Sequence, residues 1–315
     1  MSVYCDPDSR YCFAFSLDDM TVESSIALQE KPDKTPLPDD VPLREGRPTR
    51  EELLAHYPAK FTWRQMKTFV NSGDLGMLKR DKKLQVRYDT WAKGIRTQYG
   101  STVNYLRNYR LQWGKPDRLS LLPSILETPK EQCTMATDPA HTNGELPPMP
   151  INAPPYFKAD TPPELVSIIM NDWPYSVPPE IEHSLIWTRI PIIPTDLPPS
   201  ITPRVLQDGL WGFTGSLTPP PSPSTLPECL PALSEWGVTL DKLVRSPKGT
   251  DEEEELVKEA GIEIETFVKR RWIEREWETA WFVNPPRLQT VPDLAHAHVF
   301  ARHKSPEEIA AWPYP

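Results

Sequence analysis

The sequence predicts an α+β domain, an antiparallel sheet covered by helices, with long proline-rich loops between its elements. Three observations carry this. Between residues 60 and 113, aromatic and aliphatic side chains recur at helical spacing. Residues 183–193, 279–284 and 295–302 show the alternation and the β-branched and aromatic bias of strands. The 39 prolines, against 13 glycines, are concentrated in the stretches that separate these segments, well above an ordinary usage of about 5%.

A chain of 315 residues can bury a sizeable core. Its 11 tryptophans must be buried or must build a binding surface. The net charge of −9 argues against a nucleic-acid footprint, which needs clustered Lys and Arg. Cys5, Cys12, Cys133 and Cys229 show no CxxC spacing and read as free thiols in a reducing compartment, the cytoplasm or the nucleus. No apolar run of about 18 residues exists and the first residues lack a signal core, so no membrane partner is expected. No cofactor is expected either.

Residues 1–49 are rich in proline and charge, without periodicity, and read as a disordered or loosely docked arm. The domain spans 50–304. Thr49 or Thr62 caps short helices, and Trp63, Met66 and Val70 share a helical face that Asn71-Ser-Gly73 ends. A second helix, 82–99, carries Leu84, Tyr88, Trp91 and Ile95 on one stripe and stops at Gly100. Ser101 caps a third, with Val103, Leu106, Tyr109 and Trp113. All three stripes read as core packing.

Residues 114–160 form a proline-rich excursion. Thr161-Pro-Pro-Glu164 then opens a helix over 161–170, with Thr161 as its cap and Leu165, Ile168 and Ile169 buried. In strand 183–193, His183, Leu185, Trp187 and Arg189 share one face. Residues 194–231 are a second structureless excursion, suited to phosphorylation or adaptor docking, and a short helix follows over 234–244. A helix over 251–278 has acidic residues at its start and Lys269-Arg270-Arg271 farther along, which suits its dipole; Gly261 marks a break. Strands 279–284 and 295–302 complete the sheet, and 305–315 is a tail.

The candidate site is Asp172, His183, Asn284, Gln289, Thr290, His296 and His298. On a strand, His296 and His298 point to one side of the sheet, and two imidazoles on one face are rarely needed for packing. The other residues have plainer readings. Asp172 suits an Asx-turn, His183 a buried packing position, and Asn284 a strand end before two prolines.

The motifs FTWRQMKTFV, RYDTWAKGIRTQYGS, NDWPYSVPPEIEHSLIWTRIPI and WFVNPPRLQTVPDLAHAHVFAR resemble a fungal family of uncharacterised proteins, N-acetylglucosamine-induced protein 1, over about 60–113 and 161–304. That resemblance implies a fungal protein of the amino-sugar response. The order Asp172, His183-Ser-Leu-Ile-Trp, the helix, Trp281-Phe-Val-Asn284, Gln289-Thr-Val291 and His296-Ala-His298-Val-Phe also resembles the histidine-triad superfamily of nucleotide hydrolases and transferases. This second resemblance implies a histidine-triad-like sheet and a nucleotide or nucleotide-sugar ligand. His296 would be the catalytic nucleophile, and His298 would assist at the phosphate. Asp172 would hold ribose, and Asn284, Gln289 and Thr290 would hold phosphate oxygens. The sequence departs from that pattern in lacking its first histidine, and Pro285 and Pro286 stand where glycines would approach phosphate.

Two other readings follow from the same residues. A non-catalytic regulatory or scaffold protein would use the proline-rich loops for protein partners. A metal site would draw on His183, His296, His298 and Asp172.

Overall fold

The computed structural model describes residues 3–4, 13–14, 36–114, 148–291 and 294–313. Cys5, Cys12, Cys133, Asp293, Tyr314 and most of the 114–160 excursion lie outside them. Near the N-terminus, β1 (Val3–Tyr4) and β2 (Phe13–Ala14) pair antiparallel. Residues from Pro36 onward belong to a separate compact unit.

That unit opens with helices whose ends are set by side chains. Thr49 caps α1 (Arg50–His56) and Thr62 caps α2 (Trp63–Asn71), each in a reciprocal box with the residue three positions on, Glu52 or Gln65. Each box satisfies two backbone donors that the first helical turn leaves open. Asp81 caps α3 (Lys82–Tyr99), which ends at Gly100 with φ +79°. Ser101 caps α4 (Thr102–Tyr105), which runs into a π-turn over Leu106–Arg110. The expected stripe holds only partly here: Leu106 is buried, but Tyr109 is 44% exposed because the wider turn rotates it outward.

Five strands form one antiparallel sheet in the order β3-β4-β7-β6-β5. They are β3 (Val166–Met170), β4 (Ile181–Thr188), β5 (Leu210–Thr214), β6 (Trp277–Val283) and β7 (Ala295–His303). Several sequence expectations need correction. The 161–170 helix is a single 3-10 turn, Pro163–Leu165, followed by β3. Thr161 does not cap it; its hydroxyl accepts the Lys158 N–H instead. The β-branched Val166, Ile168 and Ile169 prevail over the Pro-Pro-Glu start signal because they pair with β4 and are buried.

The 194–231 excursion is not structureless. It holds α5 (Thr202–Asp208), β5 and α6 (Leu226–Cys229), and Leu226, Cys229 and Leu233 pack against Met66 and Phe69 in one apolar cluster. Pro203, Pro223, Pro227 and Pro231 sit at the first positions of short helical turns, where no N–H is needed. The segment expected as a helix over 234–244 consists of 3-10 turns, Leu230–Trp236 and Leu240–Lys242. α8 (Pro306–Ala310) follows β7.

α7 (Asp251–Arg271) covers one face of the sheet. It is shorter than the expected 251–278, because β6 begins at Trp277. Gly261 does not break it. A Cβ on Gly261 would lie 2.9 Å from the Trp281 ring, and one on Gly212 of β5 would lie 2.6 Å from it. The indole of Trp281 therefore occupies a slot between helix and sheet that only glycines leave open. Ile186, Ala297 and Val299 complete this layer, each fully buried, and each large aliphatic side chain contributes roughly 1.5–3 kcal/mol.

The opposite face is divided. α2 packs on Ala280, Phe282 and Phe300 at one end. Leu106 and Leu111, after α4, pack on Ile169, Leu185 and Trp187 at the other. Between them the face that carries His296 and His298 opens into a cleft.

Candidate functional site

Alternation on β7 puts His296, His298 and Phe300 on the cleft face. Register then chooses their neighbours. Trp187 lies opposite His296, Leu185 and Phe282 flank His298, and His183 lies opposite Phe300. α3 supplies Tyr88 and Trp91 to the wall, and the loop after β3 supplies Asn171, Asp172, Trp173 and Tyr175. The loop after β6 supplies Asn284 and Thr290.

His298 and His183 hold each other. His183 Nε2 lies 3.0 Å from His298 Nδ1, the Tyr175 N–H donates to His183 Nδ1 at 3.3 Å, and the Asn284 amide lies 3.3 Å from His298 Nε2. A backbone N–H can only donate, so His183 Nδ1 accepts from Tyr175, and the Asn171 amide nitrogen lies 3.3 Å from His183 Nε2. The Asn284 amide nitrogen is the atom that faces His298 Nε2. Phe282 and Tyr175 lie nearly parallel to the His298 ring, at 4.5 and 5.6 Å. Both nitrogens of His298 are thus occupied.

His296 is placed differently. Its ring lies on the Trp187 indole at 4.1 Å, and its Nδ1 is 3.4 Å from the Leu294 carbonyl. With the proton on Nδ1, Nε2 keeps its lone pair. Burial holds the His296 pKa down to about 4. Burial, and next the nearby charges, push those of His183 and His298 well below the ordinary value. All three imidazoles are therefore neutral near pH 7.

Of the other sequence-derived residues, Asn284 and Thr290 line the cleft. Gln289 turns away toward a neighbouring hollow that His296 also borders, and its amide donates to the Asn284 carbonyl at 3.2 Å. His183 stands behind His298 rather than in the wall. Asp172 is at the cleft, but it is not a carboxylate free to bind ribose. Arg110 holds both its oxygens at 2.8 Å, and Arg47 lies 3.2 Å from each. The metal reading gains no support from the geometry. Among the described residues, no group of three or more His, Cys, Asp or Glu is placed to hold an ion.

Sequence reasoning missed Arg80, Tyr88, Trp91, Trp173 and Trp187 as wall residues. Arg80 donates to the Trp173 carbonyl at 2.7 Å and to the Gln85 side chain at 3.0 Å, and lies 4.6 Å over the Tyr88 ring. The signal for Trp187 was present, since alternation already set it on the face of His183. Tyr88 and Trp91 looked like core because a helical stripe does not show where the opposing surface ends.

A protein-family profile described as "Protein of unknown function (DUF3605)" matches residues 62–205 and 243–302. No curated protein is significantly similar to the chain. The crystal structure of HTC1 aligns with 79% of this chain and 91% of its own, at 19% identity and a TM-score of 0.38, too slight a likeness to bear on fold or function. Among the described residues, no helix is long and apolar enough to cross a membrane.

Proposed function

We propose that this chain, which belongs to the DUF3605 family, binds a nucleotide or nucleotide-sugar in the cleft, with His296 as the group that acts on its phosphorus. The observation that supports this most is the contrast between the two cleft histidines. His298 is bonded at both nitrogens, whereas His296 is neutral, fixed by Trp187 and the Leu294 carbonyl, and has Nε2 available. A neutral imidazole with a fixed ring is what nucleophilic attack requires. The Nε2–P bond forms as the bond from phosphorus to the leaving oxygen, or to the leaving nitrogen of a phosphoramidate, breaks, and water then cleaves the P–Nε2 bond and restores His296. Tyr88, Trp91 and Trp173 offer aromatic surface for a base, and Asn284 and Thr290 offer polar groups for sugar or phosphate oxygens. The sequence resemblance to the amino-sugar-induced family makes nucleotide-linked amino sugars the first nucleotide-sugars to offer.

The test is incubation with nucleoside phosphoramidates and nucleotide-sugars, with turnover and binding measured for the intact protein and for His296→Ala. Turnover that disappears in the variant is expected. Neither binding nor turnover by the intact protein would sink the reading.

One observation favours a second reading, in which the cleft binds and regulates without turnover. Pro285 and Pro286 begin the 3-10 turn after β6 and supply no N–H where a phosphate-cradling loop would have donors. In that case the intact protein binds ligand without converting it, and His296→Ala still binds.

A further inference from the structure

Two tryptophans of the cleft wall carry buried donors that no acceptor among the described residues satisfies. Trp187 and Trp173 both line it and are 3% and 4% exposed, and the indole nitrogen of each has no hydrogen-bond partner among the described residues. An indole nitrogen can only donate. Leaving it buried and unpaired is costly, and native structures rarely do so without a reason. Trp187 is also the cross-strand neighbour of His296, ring on ring.

A third donor lines the same cleft. Arg80 is held by the Trp173 carbonyl, Gln85 and the face of Tyr88, so its charge is fixed in place. It is close enough to His183 and His298 to help keep both unprotonated, after burial. The one carboxylate in the wall, Asp172, is already bound by Arg110 and Arg47.

We infer that the indole N–H groups of Trp187 and Trp173, with the guanidinium of Arg80, form an oxyanion subsite beside His296 that receives the phosphoryl oxygens of the ligand. This rests on the reading of the cleft given above and adds the groups that recognise the anion. Side-chain N–H donors from β4 and from the loop after β3 take the part that backbone N–H groups cannot take at Pro285 and Pro286. Trp272 and Trp281 also carry unpaired indole nitrogens, but they pack in the apolar layer beneath α7 and serve as internal controls.

Trp187→Phe and Trp173→Phe keep an aromatic ring and delete only the donor. Inorganic phosphate, AMP and adenosine are titrated into the full chain, its two variants and Trp272→Phe, by calorimetry, with Tm recorded for each. The intact protein is expected to bind phosphate, and to bind AMP more tightly than either phosphate or adenosine. Each cleft variant is expected to bind phosphate and AMP about tenfold more weakly, to bind adenosine unchanged, and to keep its Tm. Trp272→Phe is expected to bind like the intact protein. If both cleft variants bind phosphate and AMP normally, the subsite is refuted while the nucleotide reading stands. If phosphate binding depends on the indoles but AMP binds no better than phosphate, the subsite stands and the nucleotide reading fails. If the intact protein binds none of the three, both fall.

Discussion

Acid destabilises this fold through His296, and one substitution isolates the effect. Burial against Trp187 holds the imidazole pKa at about 4, against about 6.5 in an unfolded chain. A histidine whose folded pKa lies below its unfolded one takes up its proton first in the unfolded state. Its penalty is therefore absent above pH 6.5 and grows as the pH falls through the window from about 6.5 to about 4. By pH 4 it amounts to about 3 kcal/mol. His296→Gln keeps a polar side chain and removes the titration. Urea unfolding followed by tryptophan fluorescence, at pH 7 and pH 4, gives the loss for each protein. Contributions from carboxylates are common to both and cancel in the difference. The intact protein should lose about 3 kcal/mol more than the variant. Equal losses would refute the reasoning, because the ring would then be reaching water and charging like an exposed histidine.

Other predictions concern the scaffold. Gly94→Ala and Gly261→Ala make the same change in two helices with opposite signs. No described residue lies within 4 Å of a Cβ at Gly94, so stability rises by roughly 0.5–1 kcal/mol. At Gly261 the Trp281 ring is in the way, and stability falls by roughly 1–3 kcal/mol in chemical denaturation. Glu278 accepts from Lys67 at 2.6 Å, from Arg302 at 2.6 Å and from the Trp63 indole at 2.9 Å, with its side chain 6% exposed. Burial raises its pKa, but these partners outweigh that and hold it low. Glu278→Gln leaves Lys67 without its carboxylate, while Arg302 keeps Glu308, and should cost roughly 1–3 kcal/mol, read as a lower urea midpoint.

Much of the fold was legible because its signals are local. Thr49, Thr62, Ser101 and Gly100 mark helix ends through hydrogen bonds or backbone geometry within a few residues. The alternation around His296 and His298 correctly placed both on the face opposite Ala297 and Val299. What escaped was decided at a distance. β5 lies within proline-rich sequence and is a strand because β6 pairs with it. Residues 163–170 carry a helix start, but pairing with β4 makes them a strand. Asp172 looked like a ligand residue, and only the folded chain brings Arg110 and Arg47 to it from 62 and 125 positions away. The neutrality of the histidines likewise comes from burial, which spacing does not express.

The Arg47–Asp172–Arg110 cluster bears on where this domain should be considered to start. The region matched by the family profile opens at residue 62. Arg47 lies upstream of it, and so does Glu52, which binds Arg87 of α3 and the backbone of Arg44 and Thr49. A chain trimmed to begin at residue 62 would retain every strand of the main sheet yet give up a strap that ties the cleft's rim to α3. The boundary drawn by sequence similarity and the boundary needed for a properly formed cleft are thus about fifteen residues apart.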